Sequence, residues 1–187
     1  MKIYEVKCAV NDFQSFYTED RSTWSMDTLQ FDATPKATIW VPPAVYVGAP
    51  KQRRGNSVDL CAGAFAVDTV ARAELLDLFE MSGELLPLPH QTEVFYVLNV
   101  TECPNVLDDD NTIWEYGKTT GAKIRIVKYA FHEHRMTEAP LFKIPETCRG
   151  TIYTFEGLKD PGDEFKPRVE EHGLTGLTFN EVWDSEA

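Results

Sequence analysis

Glu93-Val94-Phe95-Tyr96-Val97-Leu98-Asn99-Val100 is the stretch that decides the fold. Its apolar run is nearly continuous, rich in β-branched and aromatic residues, and too short for a helix. Such a run reads as a central strand covered on both faces. Immediately upstream, Val67, Val70, Ala71, Leu75, Leu78 and Phe79 recur at helical spacing. They predict a helix over about 68–81, opened by Asp68 as N-cap and stopped by Ser82-Gly83. Between helix and strand, Leu85, Leu86 and Leu88 alternate with Pro87 and Pro89 in an extended exit.

Working outward, residues 2–10 alternate as a first strand. Residues 11–32 read as a loop, with room for a short helix, packed by Phe13, Phe16, Tyr17, Trp24 and Phe31. Pro42 and Pro43 interrupt the apolar stretch 37–48, which predicts two short edge strands or one broken strand. Residues 49–57 form a polar loop carrying Lys51, Arg53 and Arg54. Downstream, 108–111 is a turn, and 112–116 and 123–129 are strands joined by Gly117 to Ala122. Short strands follow at 141–144 and 152–155. A second helix spans 163–172, with Pro167 in its first turn and Gly173 just past its end. A final strand runs over 174–183, with Leu177, Phe179 and Val182 as core candidates. Strands outnumber helices without alternating with them. The pattern predicts an α+β fold, a mixed and largely antiparallel sheet with two main helices, in one domain over 1–187.

The chain has 187 residues, 18 basic and 30 acidic, for a net charge of -12. Phosphate backbones and anionic lipid repel such a surface, so nucleic-acid and membrane partners are disfavoured and basic protein partners favoured. Solubility alone is the simpler reason for an acidic composition. The acidity is uneven: residues 1–90 carry 8 basic and 12 acidic groups, and residues 91–187 carry 10 and 18. Cys8, Cys61, Cys103 and Cys148 are widely spaced, which predicts free thiols rather than a zinc site or a disulfide framework. The alternating N-terminus and the lack of a long apolar run predict a cytoplasmic protein.

Motifs for catalysis are weak. Gly117-Lys118-Thr119 lacks the upstream glycine of a phosphate-binding loop and reads as a hairpin turn. His132 and His134 would share one face of a strand and could hold a metal with a third ligand such as His90 or His172. A solvated loop is the plainer reading of that segment. No G-x-S-x-G elbow is present. Asp108-Asp109-Asp110 lacks calcium-loop spacing; it reads as a solvated turn or as a surface that meets a basic partner.

The segment from Phe165 to Trp183 resembles the closing motif of immunity family eleven of the bacterial polymorphic toxin and type VI secretion systems. That motif is a helix ending in acidic residues, then Gly-Leu-x-Gly-Leu-x-Phe-x-x-Val-Trp. It is met here by Gly173, Leu174, Gly176, Leu177, Phe179, Val182 and Trp183. Phe95 to Val100 is similar to the family's Tyr-x-Leu-Asn-Val strand, Val106-Leu107-Asp108 to its next step, and Leu141 to Ile144 to a later element. The resemblance covers the second half well, residues 66–90 loosely, and residues 1–65 not at all. It implies a cytoplasmic protein that neutralises a cognate secreted toxin by direct binding, without catalytic residues or cofactor. On that reading Asp108, Asp109, Asp110 and Glu115 are the candidate contacts to a basic toxin. A small metal-dependent hydrolase using His132 and His134, and an effector adaptor or chaperone, are the alternatives.

Overall fold

The computed structural model describes residues 1–19 and 29–187. Its strands are β1 (Lys2–Cys8), β2 (Phe16–Thr18), β3 (Val45–Val47), β4 (Ser57–Cys61), β5 (Ala64–Val67), β6 (Gly83–His90), β7 (Glu93–Val100), β8 (Ile113–Tyr116), β9 (Lys123–Lys128), β10 (Leu141–Phe142), β11 (Ile152–Glu156) and β12 (Leu177–Asp184). Its helices are α1 (Thr69–Glu74), α2 (Leu76–Ser82) and α3 (Phe165–Glu171). The fold is α+β, and every ladder between these strands is antiparallel. One four-stranded sheet has the order β4-β5-β7-β6, the other β10-β11-β1-β12. Two small ribbons, β2-β3 and β8-β9, complete the structure.

β7 occupies an interior position, flanked by β5 and β6. Its side chains divide by the period of two. Leu98 and Val100 join Phe65 and Val67 on one face, against α1, α2, α3 and the second sheet. Phe95 and Val97 join Leu60, Ala66 and Leu88 on the other, under β2-β3. Covering both faces is why the run is apolar throughout. Past Glu93 at its exposed start, Asn99 is its one polar residue, and it is fully buried. Its amide donates to the Thr34 carbonyl and to Glu84, both at 2.9 Å, and Glu84 accepts from the Lys36 and Ala37 backbone N–H groups. This network ties the 34–37 loop to the sheet. β6 is the outer strand of this sheet, so Pro87 and Pro89 can stand in it without breaking a ladder.

The second sheet is also covered twice. Val6, Leu141 and Ile152 face the shared core, while Ile3, Phe142, Tyr153 and Phe155 face a third cluster under residues 106–136. β1 lies between β11 and β12, so residues near 5 pair with residues near 153 and 180.

The predicted helix over 68–81 is two helices. Asp68 caps the first, accepting from the Ala71 N–H at 2.8 Å. Leu75, at φ -123° and ψ 15°, breaks the rod and is itself buried. Val67 belongs to β5, and Val70 points to solvent. Pairing β5 against β7 captures Val67 first, which displaces the helical stripe to Ala71, Leu75, Leu78 and Phe79. Only Val45–Val47 of the 37–48 stretch is a strand; Ile39 and Val41 are exposed. Trp24 lies outside the described residues.

The Gly173 to Leu177 turn explains its glycines. Gly173 has φ +60°, its N–H bonds to the Glu170 carbonyl, and the Leu174 N–H bonds to the Val169 carbonyl. This is a Schellman close to α3. Gly176 has φ +103°, and a Cβ there would lie 2.0 Å from the Ser57 carbonyl oxygen. The Thr175 carbonyl accepts from Ser57 and the Gly176 carbonyl from Ala9, both at 2.9 Å. The turn thereby stitches β4 of one sheet to the end of β1 in the other.

Candidate functional site

The β8-β9 ribbon and its root hold most of the residues that the sequence singles out. The turn at 108–111 sets the ribbon's base. Asp108 accepts from the Asn111 side chain at 2.7 Å, which holds its carboxyl below the usual range. Asp109 accepts from Lys123 and from the Trp114 indole at 2.8 Å; the lysine is the larger cause of its lowered pKa. Lys123 also lies over the Trp114 ring at 4.5 Å. Glu115 is bound by Arg125 across the ribbon. Of the four candidate contacts, Asp109 and Glu115 are thus each matched by a cation. Asp108 is engaged in the turn, and Asp110 stays exposed.

The ribbon's charge runs opposite to the chain's. Residues 113–128 carry Lys118, Lys123, Arg125 and Lys128 against Glu115 alone, a net of +3. The same segment exposes Ile113 (54%), Tyr116 (53%), Ile124 (62%) and Val127 (60%) to solvent. Trp114 and Ile126 turn inward onto the third cluster and hold the ribbon down. Beneath it an aromatic ladder continues into the second sheet. Tyr129 stacks on Phe131, Phe131 meets Trp183 edge-on, and the Tyr129 hydroxyl lies 3.1 Å from that of Tyr153. A groove of about 410 Å³ runs along the ribbon's foot, between Lys128 to Ala130 and Glu181 to Asp184 of β12. β12 is an outer strand, so its far edge faces this groove with no ladder partner among the described residues.

His132 and His134 lie on and beside a single 3₁₀ turn, Glu133–Arg135, and not on a strand. Their rings are 5.5 Å apart and tilted, and the His132 Nδ1 is 3.9 Å from Asp108. Among the described residues no group of three or more His, Cys, Asp or Glu is arranged to hold a metal ion. His90 is far along β6, bonded to the Val45 carbonyl, and His172 pairs with Glu74.

All four cysteines are unpaired. Burial pushes the Cys61 thiol up to about 12, and that of Cys8 further, so neither is a thiolate at neutral pH. Lys143 and Glu164 are among the buried charges that the sequence reading does not single out. Lys143 has no exposed surface, and its Nζ donates to the Phe31 carbonyl at 2.7 Å; burial brings its pKa down to about 8. Glu164 is almost fully buried and accepts from the N–H groups of Gly157, Leu158 and Lys159 at 3.0, 2.8 and 2.8 Å. The only sequence signal for either was a charge flanked by core residues, as in Leu141-Phe142-Lys143-Ile144.

Compared with known proteins, the chain matches no family model and no curated protein. No helix among the described residues is long and apolar enough to cross a membrane.

Proposed function

We propose that this is an immunity protein, which neutralises a cognate toxin by stoichiometric binding through the β8-β9 ribbon and its acidic root. The observation that carries this reading is the ribbon itself. It exposes four large apolar side chains in one short segment, with charged groups of both signs interleaved. Scattered exposed apolar residues need no explanation, but a grouped set rimmed by polar residues is the usual mark of a protein-binding surface. The resemblance of Phe165 to Trp183 to the immunity family supports the choice of partner. Its glycine and apolar residues serve the fold here, as the Schellman close and the Gly176 crossing, and leave recognition to the exposed ribbon. Asp110 at the root would steer a basic toxin face, and the ribbon's apolar tips would supply the buried centre of the contact.

The test is co-expression with the product of the neighbouring gene, followed by capture on the tagged protein. A partner that kills when expressed alone, is harmless with this chain and elutes at one-to-one stoichiometry is the expected result. A captured partner that is harmless alone would point instead to an adaptor or chaperone and overturn the immunity reading. Ile124→Ser with Val127→Ser should weaken capture at least tenfold while the fold is kept. Unchanged capture would move the contact off the ribbon.

A further inference from the structure

We infer that the cleft between β1 and the β4-β5 hairpin is a binding site for an alkylammonium group, with Asp59 as its counter-charge. The cleft encloses about 270 Å³, and Val6, Cys8, Asp59, Cys61, Phe65 and Ile152 are among the residues that line it. That volume suits a short alkyl chain with a head group, not a drug-sized ligand. The apolar walls come from the shared core edge, where β1 of one sheet meets β4 of the other.

Asp59 is directed there by an irregularity. The β4-β5 register shifts between Asp59 and Cys61, and such bulges re-aim the side chain beside them. No hydrogen bond from a described residue reaches the Asp59 carboxylate. Burial raises its pKa, and no neighbouring cation offsets that effect. The cations close to the cleft are committed elsewhere. Lys7 pairs with Glu5 at 2.7 Å, and Lys143, behind Gly63, donates to the Phe31 carbonyl. An ionised carboxylate without a protein partner in a half-closed cleft of mixed polar and apolar lining is unfavourable, and an entering cation restores the lost solvation. Cys8 and Cys61 stay protonated, so the site binds and does not react. The Glu5–Lys7 pair at the rim is neutral as a unit and leaves Asp59 as the net charge of the cleft.

The ammonium group could belong to a free alkylamine or to a lysine side chain of a partner protein. This inference stands apart from the immunity reading and uses other residues. The experiment is amide NMR titration of the whole chain with n-butylammonium, with n-butanol and with a blocked Gly-Lys-Gly tripeptide. Butylammonium should shift the Cys61, Gly63, Gly150 and Thr151 amides saturably, at least tenfold more tightly than butanol. Shifts of the same amides by the tripeptide would assign the site to a lysine side chain, and their absence to a free amine. Asp59→Asn should remove the preference for the charged probe without loss of fold, because it deletes an unpartnered carboxylate. Should that variant not fold, the butylammonium-to-butanol ratio in the unaltered protein decides alone. Equal binding of the two probes, or shifts spread over the acidic surface and not the cleft, would overturn the proposal.

Discussion

Two hairpins follow one another in this chain and have opposite fates. β6-β7 is built into a four-stranded sheet and carries core clusters on both faces. β8-β9 stays a two-stranded ribbon, held by Trp114 and Ile126 on one side and open on the other. A two-stranded hairpin is marginal by itself, so the ribbon depends on its root, whereas β6-β7 is a foundation for the rest. The difference is visible in the side chains. β7 has one polar residue in its last six, whose amide N–H groups bond to the Thr34 carbonyl and to Glu84, while β9 alternates Lys123, Arg125 and Lys128 with exposed Ile124 and Val127. An apolar residue in β7 works for stability. An apolar residue on the outer face of β9 leaves the folding free energy almost unchanged and is free to serve a partner.

The comparison can be broken most directly by truncation. Leu98→Ala is expected to cost about 3–4 kcal/mol, and Ile124→Ala less than about 0.5 kcal/mol. Urea unfolding of the two variants would show it, and equal losses would mean that the ribbon is part of the core. The lysines sharpen the contrast next. Lys143, buried, has a folded-state pKa of about 8 against an ordinary value of 10.5. The folded state therefore holds fewer protons than the unfolded one between those values, and stability rises with pH across that window. The penalty, about 3 kcal/mol, is fully present below pH 8 and relieved above pH 10.5. Denaturant unfolding at pH 7 and pH 10 should show this rise in the stability of the unaltered protein relative to Lys143→Met, because the raised thiols of Cys8 and Cys61 pull both proteins the other way above pH 9. Lys123, on the open ribbon beside Asp109, should give no such difference when replaced. The same pH dependence in Lys143→Met as in the unaltered protein would sink the assignment. Asn99→Ala, which frees Glu84 and the Thr34 carbonyl, is expected to cost about 2 kcal/mol. Hydrogen exchange should then quicken in residues 34–37 and not in the ribbon. The smallest effect is Asp68→Ala, about 1 kcal/mol through the lost α1 cap. Thermal unfolding would measure it, and no change in Tm would mean that Asn56 or solvent replaces the cap.

The strand at the centre of the fold was legible because burial on both faces forces an apolar run that no other arrangement explains. The α3 end was legible for a similar reason: Gly173 follows a helix pattern and precedes an apolar residue. The β4-β5 hairpin was not. Ser57 to Val67 contains Asp59, Cys61 and Gly63 within a few residues, and its bulge disrupts the alternation on which a strand reading relies. The division of 68–81 into two helices was hidden because Leu75 keeps its place in the apolar stripe while departing from helical dihedrals. At the candidate site the residues were legible and their relations were not. Asp109 and Glu115 stand out in sequence as acids, yet their cations, Lys123 and Arg125, lie 14 and 10 residues away and meet them only once the ribbon closes. Exposure was the other hidden quantity. Ile124 and Ile126 follow the same alternation in sequence, but the β8-β9 register shifts past Ile124, so Ile126 packs on the third cluster while Ile124 is open.

The place of β1 has a consequence in time. β1 is synthesised well before both of its neighbours, β11 and β12. By residue 100 the ribosome has delivered every strand of the β4-β5-β7-β6 sheet, and that sheet can form while the chain is still growing. β1 must wait with both edges unpaired until residue 156 has been made, and with one edge open until residue 184. The growing chain is therefore expected to pass through a half-folded stage. In it the shared core is capped on one side only, and Val6, Cys8 and Tyr4 are open to chaperones or to a neighbouring nascent chain. Proteolysis of released chains ending near residues 110 and 187 should cut β1 readily in the first and spare it in the second.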